Sequence, residues 1–306
     1  MEINAFFDIM ESRMKKIILI SLFAFLSGSA YSEEQYYINN KSDQDYYEFI
    51  NLLAFGNKEE RVYAAENLRY ITSKKAVRPL IQAMKGNPDF PNAPENAPII
   101  KFTIAQTLAN MGQELAVKPL IEEYKKLEVK LDENAKLNFS SSLEYTDVMA
   151  AGEMLRAIGR LGNSEEIENT LNSALSHKNY YIRSSAADGM REMNKKSSIE
   201  KLKASLSQEK NDYAKTAILT AIVSINLSID ENFKALTEML KNEDSSVRYR
   251  TSQGLGEIDL KVAEIYLKQA LLIEEEPTVR EQLKRDLKSI QSIEVNASQS
   301  PSLNFY

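Results

Sequence analysis

Apolar residues recur along the chain in a fixed frame, which is clearest in the segment 247–258. With Arg248 as position one, Leu255 stands at position eight and Ile258 at position eleven, while positions four and five are the small residues Thr251 and Ser252. Offsets of four, seven and ten residues put these side chains on one face of a helix. The segment therefore predicts an amphipathic helix that buries large and small residues together.

The same frame occurs seven times. Position eight is apolar in every copy: Leu68, Leu108, Leu155, Met190, Ile222, Leu255 and Leu287. Position eleven is apolar as well: Ile71, Met111, Ile158, Met193, Ile225, Ile258 and Ile290. A second periodic helix precedes each copy, marked by Phe49, Leu80, Leu120, Leu171, Leu202, Leu236 and Leu267. The pattern predicts seven antiparallel helix pairs, each an A helix followed by a B helix.

Residues at the predicted joints agree with this division. Four residues before position one stand amide or carboxylate side chains that can cap a helix: Asn57, Asn179, Asn211 and Asp244. Pro79 and Pro119 fall early in their A helices, where a missing N–H costs little. Gly112 and Gly162 are expected to close B helices in the left-handed conformation.

The B-helix pattern, in which Val-Arg is followed by a small pair and then by Leu and Ile, resembles that of HEAT repeats. The short period is similar to the bacterial HEAT-like class first named from phycobilin lyases. The resemblance covers 44–291 and implies a right-handed all-α solenoid of about seven helix pairs. The family contains scaffolds, lyases and DNA-repair proteins, so the resemblance leaves the function open.

Composition excludes several kinds of function. A net charge of −6 disfavours a nucleic-acid partner, which would require a basic surface. The chain has no cysteine and a single histidine, His177, so thiolate and multi-histidine metal sites and cysteine nucleophiles are ruled out. The sequence contains no phosphate loop and no paired-carboxylate signature. We therefore expect neither catalysis nor a cofactor, and we expect His177 to be a solvated loop residue.

The amino terminus predicts export. Met14-Lys15-Lys16 precedes an apolar run, Ile17 to Leu26, and then small residues, as in a secretory signal peptide over 14–32. The run is about half the roughly 20 residues that a spanning helix needs, which disfavours a membrane anchor. Cleavage after Ala30 and cleavage after Ser32 both fit. Residues 1–13 are predicted to be a non-native upstream extension, 33–43 a polar lead and 292–306 a disordered tail, and the destination is the bacterial periplasm or beyond.

Two insertions interrupt the array at the A-to-B loops of repeats 2 and 3. The first, 87–98, holds half of the prolines and carries Phe90, which has no place in the repeat core. The second, 127–145, either forms a loop or lengthens the helices on both sides. Insertions on one face often mark a binding side, and neutral loop growth is the alternative.

Aromatic and basic residues also follow the frame. Tyrosines gather near B-helix starts and, with Phe90, are candidate partner-binding residues, although they also suit the ends of the core: Tyr63, Tyr145, Tyr180, Tyr181, Tyr213 and Tyr249. The basic residues at position one are expected to form a structural ladder that pairs with acids and carbonyls of neighbouring repeats: Arg61, Lys101, Arg183, Lys215, Arg248 and Arg280. Val148 interrupts this column.

These observations favour an exported, non-enzymatic scaffold that binds a protein or peptide, because stacked helix pairs form a long curved surface. The alternative is a small-ligand or tetrapyrrole-handling protein, as the lyase relatives imply. DNA repair conflicts with both the signal peptide and the acidic charge.

Overall fold

The predicted helix pairs are present throughout the part of the chain that the structure describes. A computed structural model describes residues 43–70, 74–86, 98–133, 142–258 and 260–298. Within these ranges the secondary structure is helical, without a strand. The helices are α1 (Asp43–Phe55), α2 (Lys58–Leu68), α3 (Val77–Lys85), α4 (Pro98–Asn110), α5 (Val117–Glu133), α6 (Ser142–Leu161), α7 (Glu165–Ala174), α8 (Tyr180–Met193), α9 (Ser198–Gln208), α10 (Asp212–Asn226), α11 (Glu231–Glu238), α12 (Ser245–Glu257), α13 (Ala263–Ile273) and α14 (Pro277–Ser298).

Odd-numbered helices are the A helices and even-numbered helices are the B helices of an all-α solenoid. Successive B helices contact each other much more extensively than successive A helices do. The stack must therefore curve with its B helices on the inner side. Surfaces formed by α6, α8, α10 and α12 belong to this inner face.

The repeating apolar positions form the core. Every position-eight residue is buried: Leu68, Leu108, Leu155, Met190, Ile222, Leu255 and Leu287. The buried residues divide into two clusters, one running from Phe49 to Ile225 and the other from Leu219 to Ile290. Both clusters include residues of α10, so this helix joins the two parts of the core.

Helix capping follows the expectation at the start of the helices. Asn57 accepts from Glu60 N–H, and the Glu60 side chain accepts in return from Asn57 N–H, which forms a capping box. The side chains of Asn179, Asn211 and Asp244 cap their helices in the same role. At each of these four helix starts, the capping side chain thus satisfies one backbone N–H group that would otherwise lack a partner within the helix.

The helix ends agree only in part. Gly112 is left-handed, with φ +62°, as expected. The expectation for Gly162 was wrong, since its φ lies outside the left-handed region. Asn194 and Leu227, each with φ +50°, take the left-handed position after α8 and α10 instead. Asn tolerates this conformation well, whereas a leucine rarely adopts it.

Close approach of two B helices explains two other glycines. A Cβ atom on Gly159 of α6 would lie 2.0 Å from the carbonyl oxygen of Gly189 in α8. Any side chain at Gly159 would push the two backbones apart. The glycine pair therefore sets the short distance between the B helices of repeats 3 and 4.

The insertion at 127–145 lengthens the helices on both sides of it. Helix α5 continues to Glu133 and α6 begins at Ser142, which gives α6 20 residues. Residues 134–141 lie outside the described ranges, as do 87–97 with Phe90, the segment 1–42 with the predicted signal peptide, and 299–306.

The predicted disordered tail begins too early, because α14 extends through residue 298. The sequence after Ser292 contains neither glycine nor proline before Pro301, so nothing local stops the helix. The polar composition of this stretch suggested disorder, whereas the backbone of α14 remains helical through Ser298.

Candidate functional site on the inner face

The inner face of repeats 3 to 6 carries a cluster of arginines around one buried aspartate. Asp188 lies in the middle of α8 and is 2% exposed. Arg156 reaches it from α6 and Arg250 reaches it from α12. We call Arg156, Asp188 and Arg250 the arginine–aspartate cluster.

Both arginines of this cluster donate hydrogen bonds to Asp188. Arg156 Nη1 donates to Ser185 Oγ at 3.1 Å and to Asp188 Oδ2 at 3.5 Å, and its Nε donates to Glu153 at 3.0 Å. Arg250 Nη2 donates to Asp188 Oδ1. The carboxylate of Asp188 thus receives guanidinium donors at both of its oxygens.

Burial and charge act on Asp188 in opposite directions. Burial alone would raise the pKa of Asp188, because it disfavours the charged form. The guanidinium groups of Arg250, Arg156 and Arg191 outweigh that effect and hold the pKa below its ordinary value. The aspartate is therefore an anion at neutral pH, shared by cations from two other repeats.

A second row of charges lies nearer the carboxyl ends of the B helices. Arg191 of α8 pairs with Glu257 of α12 and, at 3.2 Å, with Glu192. Glu192 also pairs at 2.9 Å with Arg160 of α6, which donates in turn to Asn110 of α4. The two rows together contain four arginines and four acids, so these eight side chains carry no net charge.

Three tyrosines lie beside the arginine–aspartate cluster. Tyr213 of α10 stacks with Tyr181 at 6.2 Å between ring centroids and meets Tyr180 edge to face at 5.9 Å. Arg156 lies 5.9 Å from the Tyr181 ring and Arg250 lies 5.8 Å from the Tyr213 ring. Burial, as the main cause, raises the pKa of Tyr213 to about 12, so its hydroxyl remains neutral. We call Tyr180, Tyr181 and Tyr213 the tyrosine cluster.

The structure brings together only part of the predicted aromatic row. Tyr63 packs against Phe49 at 5.8 Å in the first repeat, and Tyr249 packs against the second core cluster. Tyr145 belongs to α6, but its side chain is not among those that the structure describes, and Phe90 lies outside the described residues. The tyrosine cluster is thus the one group of candidate aromatic residues that the described ranges place in mutual contact.

The position-one arginines of repeats 4 and 6 make matching contacts. Arg183 donates through Nε and Nη2 to Glu209, both at 2.7 Å, and Arg248 donates in the same way to Glu274, both at 2.8 Å. Each glutamate follows the A helix of the next repeat. The remaining Nη1 donates in each case to two carbonyls of the preceding loop, for example His177 and Lys178. Both arginines therefore link consecutive repeats.

The other position-one residues make varied contacts. Arg61 is buried and donates to the carbonyls of Gly56 and Ala54, while burial lowers its pKa. Arg280 donates to the carbonyl of Glu274. The two lysines make ion pairs: Lys101 with Glu123 at 2.7 Å and Lys215 with Asp212 at 3.0 Å.

His177 does not fit the expectation of a solvated loop residue. It is half-buried, and its Nδ1 accepts from the N–H of Asn179 at 3.0 Å. The ring thus helps to order the turn that leads into α8. This role could not be predicted from the sequence, because it depends on the geometry of the turn.

Sequence reasoning also missed Arg156, Asp188 and Arg250. A signal for Asp188 existed: position six of the B frame is polar in all seven copies, namely Glu66, Gln106, Glu153, Asp188, Thr220, Gln253 and Arg285. A polar position that repeats between buried ones marks a line along the inner face. Which of these polar side chains meet depends on curvature, so the frame alone could not pair Asp188 with Arg250.

Neither a metal site nor a membrane span is found in the described ranges. These ranges contain no group of three or more His, Asp or Glu side chains arranged to hold a metal ion. No helix among the described residues is long and apolar enough to cross a bilayer.

Comparison with known proteins supports the fold. A family model of HEAT repeats matches residues 142–223, which hold α6 to α9 and most of α10. No curated protein matches the chain at a significant level.

Solved structures resemble most of the chain. The complex of CpcE and CpcF of phycocyanin lyase from Nostoc sp. matches with a TM-score of 0.50 and 14% identity, over 82% of this chain and 96% of that one. An engineered protein matches with a TM-score of 0.32 and 18% identity, over 82% of this chain and 98% of that one. The expected resemblance to HEAT repeats is confirmed by the match over 142–223, and the chain has the fold of an all-α solenoid.

Proposed function

We propose that this protein is an exported, non-enzymatic scaffold that binds another protein or a peptide through the tyrosine cluster. The carrying observation is the position of three packed tyrosines beside Arg156 and Arg250, at the edge of the inner face. Tyrosine and arginine are the residue types most enriched, with tryptophan, where binding energy concentrates.

Rigidity supports this assignment. Arg156 and Arg250 are held by Asp188, and the tyrosine rings are held by one another and by the arginines. Groups that are fixed before binding lose little conformational entropy when a partner arrives. The tyrosine cluster includes residues of α8 and α10, so a partner bound there would contact two repeats.

Affinity capture from a native envelope fraction tests the proposal. The bait is residues 33–306 of the wild type, and the test variant carries Tyr180→Ala and Tyr213→Ala. A matched control carries Tyr249→Ala, which removes a tyrosine that packs against the second core cluster. We expect the wild type and the control to recover the same partner and the test variant to lose most of it.

Thermal unfolding of each bait shows whether the test variant is folded. Equal recovery of the partner by a folded test variant would refute the role of the tyrosine cluster. Recovery of no protein by the wild type would refute the scaffold function itself. A further variant, with 87–97 and 134–141 shortened, tests the parts of the insertions that lie between helices, and unchanged recovery would exclude these segments as partner contacts.

Export is proposed from the amino-terminal sequence. Fractionation of cells that produce the chain from Met14 should place a processed form in the periplasm or medium. Mass spectrometry of that form distinguishes cleavage after Ala30 from cleavage after Ser32. Retention of an unprocessed chain in the cytoplasm would contradict export.

Tetrapyrrole handling is the second candidate, and the fold likeness to the phycocyanin lyase complex favours it. This function would require a bound chromophore in the native protein. An absorbance scan of protein purified from its native source decides the matter, because a visible band that remains with the protein would favour this alternative over the protein-binding scaffold.

A further inference from the structure

Two ion pairs on the inner face connect helices that are not neighbours in the stack. Arg250 of α12 binds Asp188 of α8, and Arg191 of α8 binds Glu257 of α12. Both pairs pass over α10, the B helix of the repeat between them. The direction is reciprocal, since each helix supplies one arginine and one acid.

The helix beneath these pairs has an unusual inner face. Positions three and six of α10 are Ala217 and Thr220, which are 0% and 3% exposed. In α12 the same positions carry the longer residues Arg250 and Gln253. Gly254 of α12 packs so closely on Thr220 that an added Cβ would lie 2.4 Å from its hydroxyl oxygen. The small residues of α10 therefore allow α8 and α12 to close over it.

We propose that these two pairs form an electrostatic clasp. The clasp holds repeats 4 to 6 in a tight arc, and salt or a competing partner can open it. The inner pair, Arg250 with Asp188, is the fixed part, because Asp188 is 2% exposed and also binds Arg156. The outer pair, Arg191 with Glu257, is the part that solvent reaches, because the Glu257 side chain is 41% exposed. Opening separates α8 from α12 and uncovers Ala217 and Thr220.

The clasp has a consequence for binding that does not depend on which partner the protein takes. Salt screens the outer pair, since the Debye length falls to about 3 Å at 1 M ionic strength. A partner that offers an acid to Arg191 or a base to Glu257 competes for the same groups. The curvature of the inner face is therefore adjustable at repeat 5.

Hydrogen exchange of the α10 backbone amides tests the clasp on the full mature chain. The variants are Glu257→Gln, Arg191→Gln and the double variant. An exposed pair contributes about 0.5–1 kcal/mol, which corresponds to a roughly two- to fivefold faster exchange through local opening. The double variant should exchange no faster than Arg191→Gln, because Arg191→Gln already removes the contact with Glu257 together with that to Glu192.

The matched control is Glu238→Gln, which removes an exposed ion pair within one repeat, between Glu238 and Lys241. This variant should leave α10 exchange unchanged. Small-angle scattering should show a larger radius of gyration for Glu257→Gln and for the wild type in 1 M NaCl. Unchanged α10 exchange in both single variants, or exchange that is equally faster in α2 and α4, would overturn the proposal.

Discussion

At the scale of single residues, the ion pairs of buried Asp188 on the inner face should contribute more to stability than the exposed ion pairs do. Asp188 receives two guanidiniums inside the protein, whereas exposed pairs such as that of Glu281 with Lys284 lie in solvent. Loss of one partner from a buried group leaves the remaining charges without compensation, which costs much more than loss of a surface pair.

Replacement of Asp188 by Asn should lower the free energy of unfolding by about 3–5 kcal/mol at neutral pH, because the half-buried Arg156 and Arg250 lose the buried anion that they share. Chemical denaturation measures the change, and Glu281→Gln is the control that should leave the midpoint unaffected. The pKa of Asp188 is lowered in the folded state, so its contribution is present above the ordinary value of 3.8. The wild type should lose its advantage only as the pH falls below that value. An equal advantage at pH 2 and pH 7 would contradict this account.

Asp286 behaves in the opposite way. Burial, as the main cause, raises its pKa, although Ser252 and Gln282 donate hydrogen bonds to it, and Glu257 lies close enough to add repulsion. A raised pKa means that the aspartate favours folding when protonated, and this contribution is lost as the pH rises through its folded pKa. Asp286→Asn should therefore gain stability relative to the wild type between about pH 4 and pH 7. Thermal unfolding at both pH values measures this, and a constant difference would refute it.

At the scale of helices, local sequence explains the helix starts and close packing explains the glycines. The four capping residues were predictable because a cap acts on the helix that follows it directly. Gly159 was not recognised as a packing residue, because its role depends on Gly189, thirty residues away. The prediction for Gly162 failed for a different reason, since a glycine after a helix can also adopt ordinary φ values.

Gly159→Ala should destabilise the protein by about 1–3 kcal/mol or more, because the new methyl group would overlap the backbone of Gly189 and separate α6 from α8. Gly162→Ala is the matched control. A Cβ there meets only the end of the Ile167 side chain, at 3.3 Å, and φ is not left-handed. The control should be neutral or slightly stabilising. Similar losses for both variants would contradict the close approach of α6 and α8.

At the scale of the whole molecule, the core is divided at α10, and stability should follow this division. In a stack of repeats each unit is stabilised mainly by its neighbours. The first core cluster ends at Ile225 and the second begins at Leu219. A mutation in one cluster should therefore lower local stability most strongly in the repeats that contribute to that cluster.

Leu255→Ala removes a fully buried side chain of the second cluster and should cost about 2–5 kcal/mol locally. Hydrogen exchange should become faster in α11 to α14, with much less change in α1 to α4. Leu108→Ala, at position eight of repeat 2, is the matched control in the first cluster. This variant should instead make exchange faster in the first repeats. Uniform loss of protection in either variant would indicate a single cooperative unit.

The repeat can be predicted from the sequence alone, together with the two helices of each unit, their starts and the apolar positions of the core. These properties depend on periodicity and on capping within a few residues, so a one-dimensional pattern contains them. The repeat also indicated position six as a polar line along the inner face, although it did not select Asp188 within that line.

Which polar side chains meet depends on how the repeats pack in three dimensions. Arg250 and Asp188 are 62 residues apart, and their contact requires that α8 and α12 approach across α10. That approach follows from curvature, which accumulates from the packing of every B helix, including the Gly159 and Gly189 contact. Small residues of α10 permit the arc, and long charged residues of its neighbours close over it, so the tyrosine cluster and the clasp arise from packing among repeats.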